Sequence, residues 1–107
     1  MALIRGTLDV LVLKSLSWTA MHAFEIITWL GERSDGELDV DGPALIQALH
    51  RLEEKKLVAG EWGTTKNVRR ARYYRMTAEG RAHLRAESAK LAADTGTLMT
   101  ILGAKRA

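Results

Sequence analysis

The chain has 107 residues, of which 47% are hydrophobic and 27% are charged, and its formal net charge is +3. This length suits one globular domain, although it is short enough that association with a second copy would help to bury apolar surface. The absence of cysteine excludes disulfides and thiolate chemistry, and no apolar run is long enough to cross a bilayer.

The beginning of the chain has some features of a secretory signal. Residues 1–23 contain Arg5, an apolar stretch and small residues, but Asp9 and Lys14 interrupt the apolar region. We therefore expect no export. A chain without cysteine also suits a reducing compartment, so we expect a cytoplasmic protein that does not bind membranes.

Two helices are predicted in the first third of the chain. The first has Thr7 as its N-cap and continues to about Ser17. The second covers residues 21–33 and ends at the turn-forming residues 34–36; a short strand is predicted over residues 38–40. The first helix carries apolar residues around most of its circumference, which predicts burial on two sides or, alternatively, a buried strand: Leu8, Val10, Leu11, Val12, Leu13 and Leu16. The second carries three apolar residues on one face: Phe24, Ile27 and Leu30.

A third helix is predicted from a cap at Asp41 or Gly42, through Pro43, to about Lys56. At helical spacing, one face is apolar and should be core: Leu45, Ala48, Leu49 and Leu52. The opposite face carries Gln47 and His50, with Arg51 at its margin. These side chains have the chemistry that reaches base edges or phosphates, although an ordinary solvated face is the alternative interpretation.

A basic β-hairpin is predicted next. Residues 62–78 contain five basic residues and no acidic one, whereas the rest of the chain holds eleven basic and thirteen acidic residues. One strand covers residues 58–62 and the other residues 71–76, with turn-forming residues 63–67 between them. The hairpin would project Lys66, Arg69 and Arg70 away from the body, so it suits a polyanion such as nucleic acid. A solvated charged loop is the alternative.

The last helix is predicted from Thr77 to about Leu102. Leucines recur every seven residues at Leu84, Leu91 and Leu98, but the companion positions include Ser88 and Thr95, so the seam is weak. Packing against the apolar first helix of a partner subunit would use both surplus apolar faces. The alternative is that both helices fold onto their own domain.

The order of these elements predicts a mainly α fold with a small β-hairpin wing, that is, a winged helix-turn-helix over residues 1–76 and a C-terminal dimerisation helix over residues 77–107. In such a fold the third helix enters the major groove of double-stranded DNA and the wing reaches the adjacent backbone or minor groove.

Three segments then resemble the PadR family of bacterial transcriptional regulators. They read LDVLVLKSLSWTAMHAFEI, ALHRLEEKKLVAGEWG and RRARYYRMTAEGRAHL. The resemblance implies a winged-helix homodimer, joined through its first and last helices, that binds a pseudo-palindromic operator and acts as a repressor. Some relatives bind flat hydrophobic compounds between subunits through aromatic residues of the last helix. The last helix of this chain contains no aromatic residue. A small-molecule effector is therefore left open as a partner.

The chain departs from the family pattern where the third helix begins. Relatives usually have Gly-Ser-Leu-Tyr-Pro, where this chain has Pro43-Ala44-Leu45-Ile46-Gln47. Ala44 and Ile46 lack hydroxyls that could bond phosphate, so affinity should depend more on the wing and Gln47.

The aromatic residues before the third helix are predicted to be core. Phe24 stands where relatives have Tyr, and it keeps the ring without the polar group. Trp18 and Trp29 could line a pocket near the dimer interface, but we favour core positions.

The residues predict no catalytic, metal or cofactor site. The three histidines lie on three predicted helices without metal-ligand spacing, and there is no phosphate-binding glycine loop.

The alternative function is a winged-helix interaction or dimerisation module with weak or lost specific DNA binding. The predicted DNA contacts are Ala44, Ile46, Gln47, His50, Arg51, Lys66, Arg69, Arg70 and Arg72. The predicted dimer contacts are Leu8, Leu11, Leu84, Leu91, Leu98 and Leu102.

Overall fold

Four helices and three strands follow one another in the structure, a computed structural model that describes residues 6–105. The elements are α1 (Thr7–Ser15), β1 (Met21–His22), α2 (Ala23–Arg33), α3 (Gly42–Glu54), β2 (Val58–Thr64), β3 (Arg70–Met76) and α4 (Ala78–Leu102). The strands form one antiparallel sheet in the order β1-β3-β2. The predicted mainly helical fold with a small hairpin is confirmed.

The hairpin is regular from its base to its tip. Its register runs from Val58 opposite Met76 to Thr64 opposite Arg70. On the other side of β3, Met21 lies opposite Tyr74 and thereby adds the two-residue strand β1. The wing is therefore anchored to the body of the domain by strand pairing on both sides of β3.

The core lies between α1, α2 and α3 and reaches the base of the hairpin. Val12 and Leu13 from α1 and Ile26 from α2 have no exposed surface. The predicted apolar face of α3 is confirmed, because its four residues are all at most 1% exposed: Leu45, Ala48, Leu49 and Leu52. This burial determines which face of α3 remains available to a partner.

The beginnings of α1 and α2 differ from the prediction. The N-cap of α1 is Gly6, with φ 90°, not Thr7, and it makes no side-chain capping bond. The second helix begins at Ala23, slightly later than the predicted start at about Met21, because His22 caps it: the Nδ1 atom of His22 accepts a hydrogen bond from the backbone nitrogen of Glu25 at 3.3 Å.

Several predicted strand or core positions are also corrected. Residues 38–40 form no strand, although Leu38 and Val40 are buried. Phe24 is 73% exposed and Trp18 is 66% exposed, so neither is core. Phe24 is exposed because of the rotation of α2 about its axis: the helix turns Ile26 and Leu30 toward the core, and Phe24 then points away from it.

The last helix leaves the body of the domain. Its N-cap Thr77 accepts a hydrogen bond from the Gly80 nitrogen at 3.0 Å, and its first turns pack on α1 and β3. Gly80 and Leu84 are the buried residues among its 25. The remaining length projects outward, which gives the described chain dimensions of 63 × 29 × 22 Å. No helix within residues 6–105 has the length and apolarity that a membrane span requires.

Candidate nucleic-acid interface

The exposed face of α3 is held in place by a capped first turn and a buried opposite face. The Asp41 carboxylate accepts a hydrogen bond from the Ala44 nitrogen at 2.7 Å and so satisfies one of the free N–H groups at the helix start. Ala44 is half-buried, whereas Gln47 and His50 are exposed and Ile46 is 38% exposed. The face therefore offers an amide, an imidazole and a small apolar surface to a partner.

Arg51 is engaged by a residue from a different helix. Its guanidinium donates two hydrogen bonds to Asp9 of α1, at 3.1 Å from Nε and 2.7 Å from Nη2. The hydrogen bonds, together with the charge of Asp9, outweigh partial desolvation and raise the pKa of Arg51. The structure thus gives Arg51 a role in joining α1 to α3, and a contact with DNA would have to share or break this pair.

The tip of the wing carries cations without acidic partners. Lys66 and Arg69 are exposed, and neither forms an ion pair with any residue in the range 6–105. Thr65 closes the tip, since its backbone nitrogen donates to the Arg69 carbonyl at 2.8 Å. These two charges are therefore positioned by a closed loop and remain available to an anion.

An aromatic and cationic stack lies along the wing. Trp62 of β2 is 55% exposed, and the guanidinium carbon of Arg70 lies 4.2 Å from the centre of its ring. Such a contact restricts the arginine while leaving its N–H groups at the surface. Arg70 is thus held on the wing with its charge unpaired by any carboxylate of the described residues.

Arg72 joins the wing to α3. Its Nη2 donates to the Glu53 carboxylate at 2.6 Å, and the hydrogen bond and charge of Glu53 raise the pKa of Arg72. The guanidinium lies over Gly60 of β2, where a Cβ would be only 2.6 Å from its Nε. The sequence predicted that Arg72 binds phosphate; the structure pairs its guanidinium with Glu53 of α3, so a phosphate contact would have to share or break this pair.

A groove runs between α1 and α4 on another part of the surface. It has a volume of about 1350 Å³, and its lining includes Val10, Leu11, Trp18 and Leu91. Trp18 contacts Trp29 with ring centres 5.8 Å apart. The six leucines predicted at a dimer interface divide by exposure into the buried Leu84, the half-buried Leu8, Leu11 and Leu91, and the exposed Leu98 and Leu102. Leu84 therefore belongs mainly to the core of its own protomer.

Comparison with known proteins then decides the family. The model of the transcriptional regulator PadR-like family matches residues 12–86, which is well over half of the chain. The chain belongs to this family. It is accordingly a DNA-binding transcriptional regulator with a winged-helix fold, and not an enzyme.

Solved structures and a curated relative resemble this PadR-family chain over most of its length. A PadR family regulator from Eggerthella lenta superposes with a TM-score of 0.80 at 27% identity, covering 94% of this chain and 86% of that one. A regulator from Clostridium thermocellum has the same fold, with a TM-score of 0.82 at 23% identity and coverage of 91% and 94%. An uncharacterized protein of Lysinibacillus sphaericus is 27% identical over 82 residues, 77% of this chain and 75% of its own length.

Sequence reasoning missed the partners that organise this PadR-family surface. Asp9 and Glu53 were not singled out as partners of Arg51 and Arg72, and Trp62 was not recognised as a stacking platform. The two ion pairs join residues 42 and 19 positions apart, so no local pattern announces them. The contact between Trp62 and Arg70 does have a signal once the register is known: Trp62 lies opposite Arg72, and Arg70, two residues away on the same face of β3, is its diagonal neighbour.

Proposed function

We propose that this PadR-family regulator is a cytoplasmic repressor that binds a pseudo-palindromic operator as a homodimer. The observation that carries the proposal is the combination of an exposed polar face on α3 and a wing with unpaired cations. Gln47 and His50 would meet base edges in the major groove, and Lys66, Arg69 and Arg70 would hold phosphates beside it. A bound dimer would exclude polymerase from an overlapping promoter.

The homodimer is supported by apolar surface that a single copy leaves uncovered. Near its C-terminal end α4 exposes four large apolar side chains: Leu98, Met99, Ile101 and Leu102, from 54% to 79%. The groove between α1 and α4 is a second apolar surface of the same protomer. Soluble monomers rarely expose such patches together. Two copies, each packing its α4 against α1 of the other, would cover both surfaces. This arrangement would also set the spacing between the two α3 helices.

The proposal is tested by fluorescence anisotropy with two duplexes, one from the promoter of the protein's own gene and one unrelated. Tight, salt-dependent preference for the promoter is expected. Equal and weak binding to both duplexes would contradict operator recognition. No binding at low salt would contradict DNA binding by this chain. It would favour the alternative function, a winged-helix interaction or dimerisation module, which the altered residues Ala44 and Ile46 suggest.

Gln47→Ala should relax sequence preference and leave general DNA affinity nearly unchanged. The Gln47 amide can pair with adenine in two hydrogen bonds, and losing such a contact costs about 1–3 kcal/mol of discrimination. The ratio of affinities for promoter and unrelated duplex should therefore fall about tenfold for each Gln47, and so about a hundredfold for the dimer, with little change in the salt slope. The measurement is the same titration with both duplexes. A ratio equal to that of the wild type would remove Gln47 from the reading face.

Leu98→Asp should convert the dimer into a folded monomer. Leu98 is 54% exposed in the single protomer, so a charge there disturbs the fold little but would be buried at the proposed interface. Sedimentation velocity should show the mass of one chain. The matched control is Ala93→Asp, which adds the same charge at an exposed position on the opposite face of α4 and should leave the dimer intact. Identical mass for both variants would contradict the interface.

A further inference from the structure

The tip of the wing is a three-residue hairpin loop with a left-handed residue at its end. The Thr65 carbonyl accepts a hydrogen bond from the Val68 nitrogen at 2.9 Å, and the Thr65 nitrogen donates to the Arg69 carbonyl at 2.8 Å. Val68, the third loop residue, has φ 57°. This bonding pattern is that of a turn followed by a one-residue bulge, in which the left-handed position is usually glycine.

Valine is an unfavourable residue for that position. Its branched Cβ crowds the backbone in the left-handed region, which glycine, asparagine and aspartate tolerate much better. The side chain is also 84% exposed, so no packing within residues 6–105 offsets the strain. The other left-handed non-glycine residues of that range are the polar Asp35 and Lys56. Val68 is thus an apolar side chain held in a strained position and directed at solvent.

The surroundings of Val68 indicate what covers it. Lys66 and Arg69 flank it along the chain without acidic partners, and Arg70 and Trp62 line the same shallow depression of the wing. A single apolar group among cations complements a narrow groove that has anionic rims and apolar sugar walls. The minor groove of DNA has this character, and minor-groove proteins insert apolar side chains among arginines and lysines.

We propose that Val68 is a DNA-contact residue whose methyl groups lie against the deoxyribose and base surface of the minor groove. This inference rests on the proposed function and adds to it a contact that carries no charge. The wing would then recognise groove shape through Val68 as well as phosphate through its cations. The strain at Val68 is accounted for by a contact that forms only in the complex.

The first test compares Val68→Asn and Val68→Gly with the wild type. Both replacements tolerate the left-handed backbone and preserve net charge, so neither should lower the melting temperature. Affinity for the promoter duplex should fall about tenfold for each valine that is no longer buried against DNA, and so about a hundredfold for the dimer, at every salt concentration. The salt slope should stay unchanged because no phosphate contact is lost. Wild-type affinity in both variants would overturn the inference.

The second test locates the contact in the minor groove. Replacing guanine by inosine throughout the duplex removes the 2-amino groups from the minor groove and keeps the acceptors in the major groove. The wild type should respond to this replacement more strongly than Val68→Gly does. Equal responses would overturn the minor-groove placement. A wild type without salt-dependent binding would instead overturn the proposed function itself, so the two failures are distinguishable.

Discussion

The double change Arg69→Ala and Arg70→Ala is expected to weaken binding to every DNA sequence by about 100-fold or more near 0.1 M salt. Neither guanidinium has a carboxylate partner among residues 6–105, so both charges are available to phosphate. A dimer would lose four phosphate contacts, and the slope of log affinity against log salt should become shallower by about 3 to 4. Anisotropy titrations at four salt concentrations measure both quantities.

The control for this change removes the same amount of charge elsewhere. Arg33 at the end of α2 and Lys90 on α4 are exposed residues outside the wing. The pair Arg33→Ala and Lys90→Ala should therefore leave the salt slope close to that of the wild type. If the wing variant and this control lose affinity equally, the protein responds only to its net charge and the wing is not the phosphate-binding element.

Gly80→Ala is expected to lower the free energy of unfolding by about 3 kcal/mol. An added Cβ would overlap the carbonyl oxygen of Leu57 and lie 2.9 Å from Cγ of Met76. The Leu57 carbonyl is backbone and also accepts a hydrogen bond from the Thr77 nitrogen at 3.1 Å, so it cannot move without disturbing the start of α4. Thermal and urea denaturation should show the loss, with a melting temperature lower by about 15 °C.

A glycine in open space gives the matched comparison. Gly31 lies inside α2, and a Cβ there would meet nothing within 4 Å. Gly31→Ala should therefore stabilise the protein by about 1 kcal/mol through the better helix propensity of alanine. Equal melting temperatures for Gly80→Ala and the wild type would show that α4 does not pack closely against the segment after α3.

The helices α2 and α3 show how far prediction from the sequence could go. Periodicity correctly identified the core face of α3, because its spacing is a local property that burial of one face imposes on the sequence. It misplaced Phe24 alone: Leu30 and Ile27 of the predicted face do contact the core, but the buried face is centred nearer Ile26 and leaves Phe24 outside it. The side of α2 that is buried depends on how this helix packs on α1 and α3, which is not a local property of the sequence.

The charge of the wing illustrates the same division. Its five cations are visible in the sequence, and so is the absence of acid among them. Which cations remain available to DNA depends on distant residues: Glu53 pairs with Arg72, Trp62 holds Arg70, and Lys66 and Arg69 stay unpaired. Likewise Arg51 faces outward by helical spacing, but Asp9 from another helix occupies its guanidinium.

The sequence by itself determined the winged helix-turn-helix order, the core of α3, the basic wing and the family resemblance, since local spacing, capping residues and composition encode these features. Only the tertiary structure decided which arginines are paired, which aromatic residues are exposed, and that a strained valine stands at the tip of the wing. These features depend on contacts between elements far apart in the chain, or on a backbone angle set by hairpin closure, and neither leaves a periodic signal.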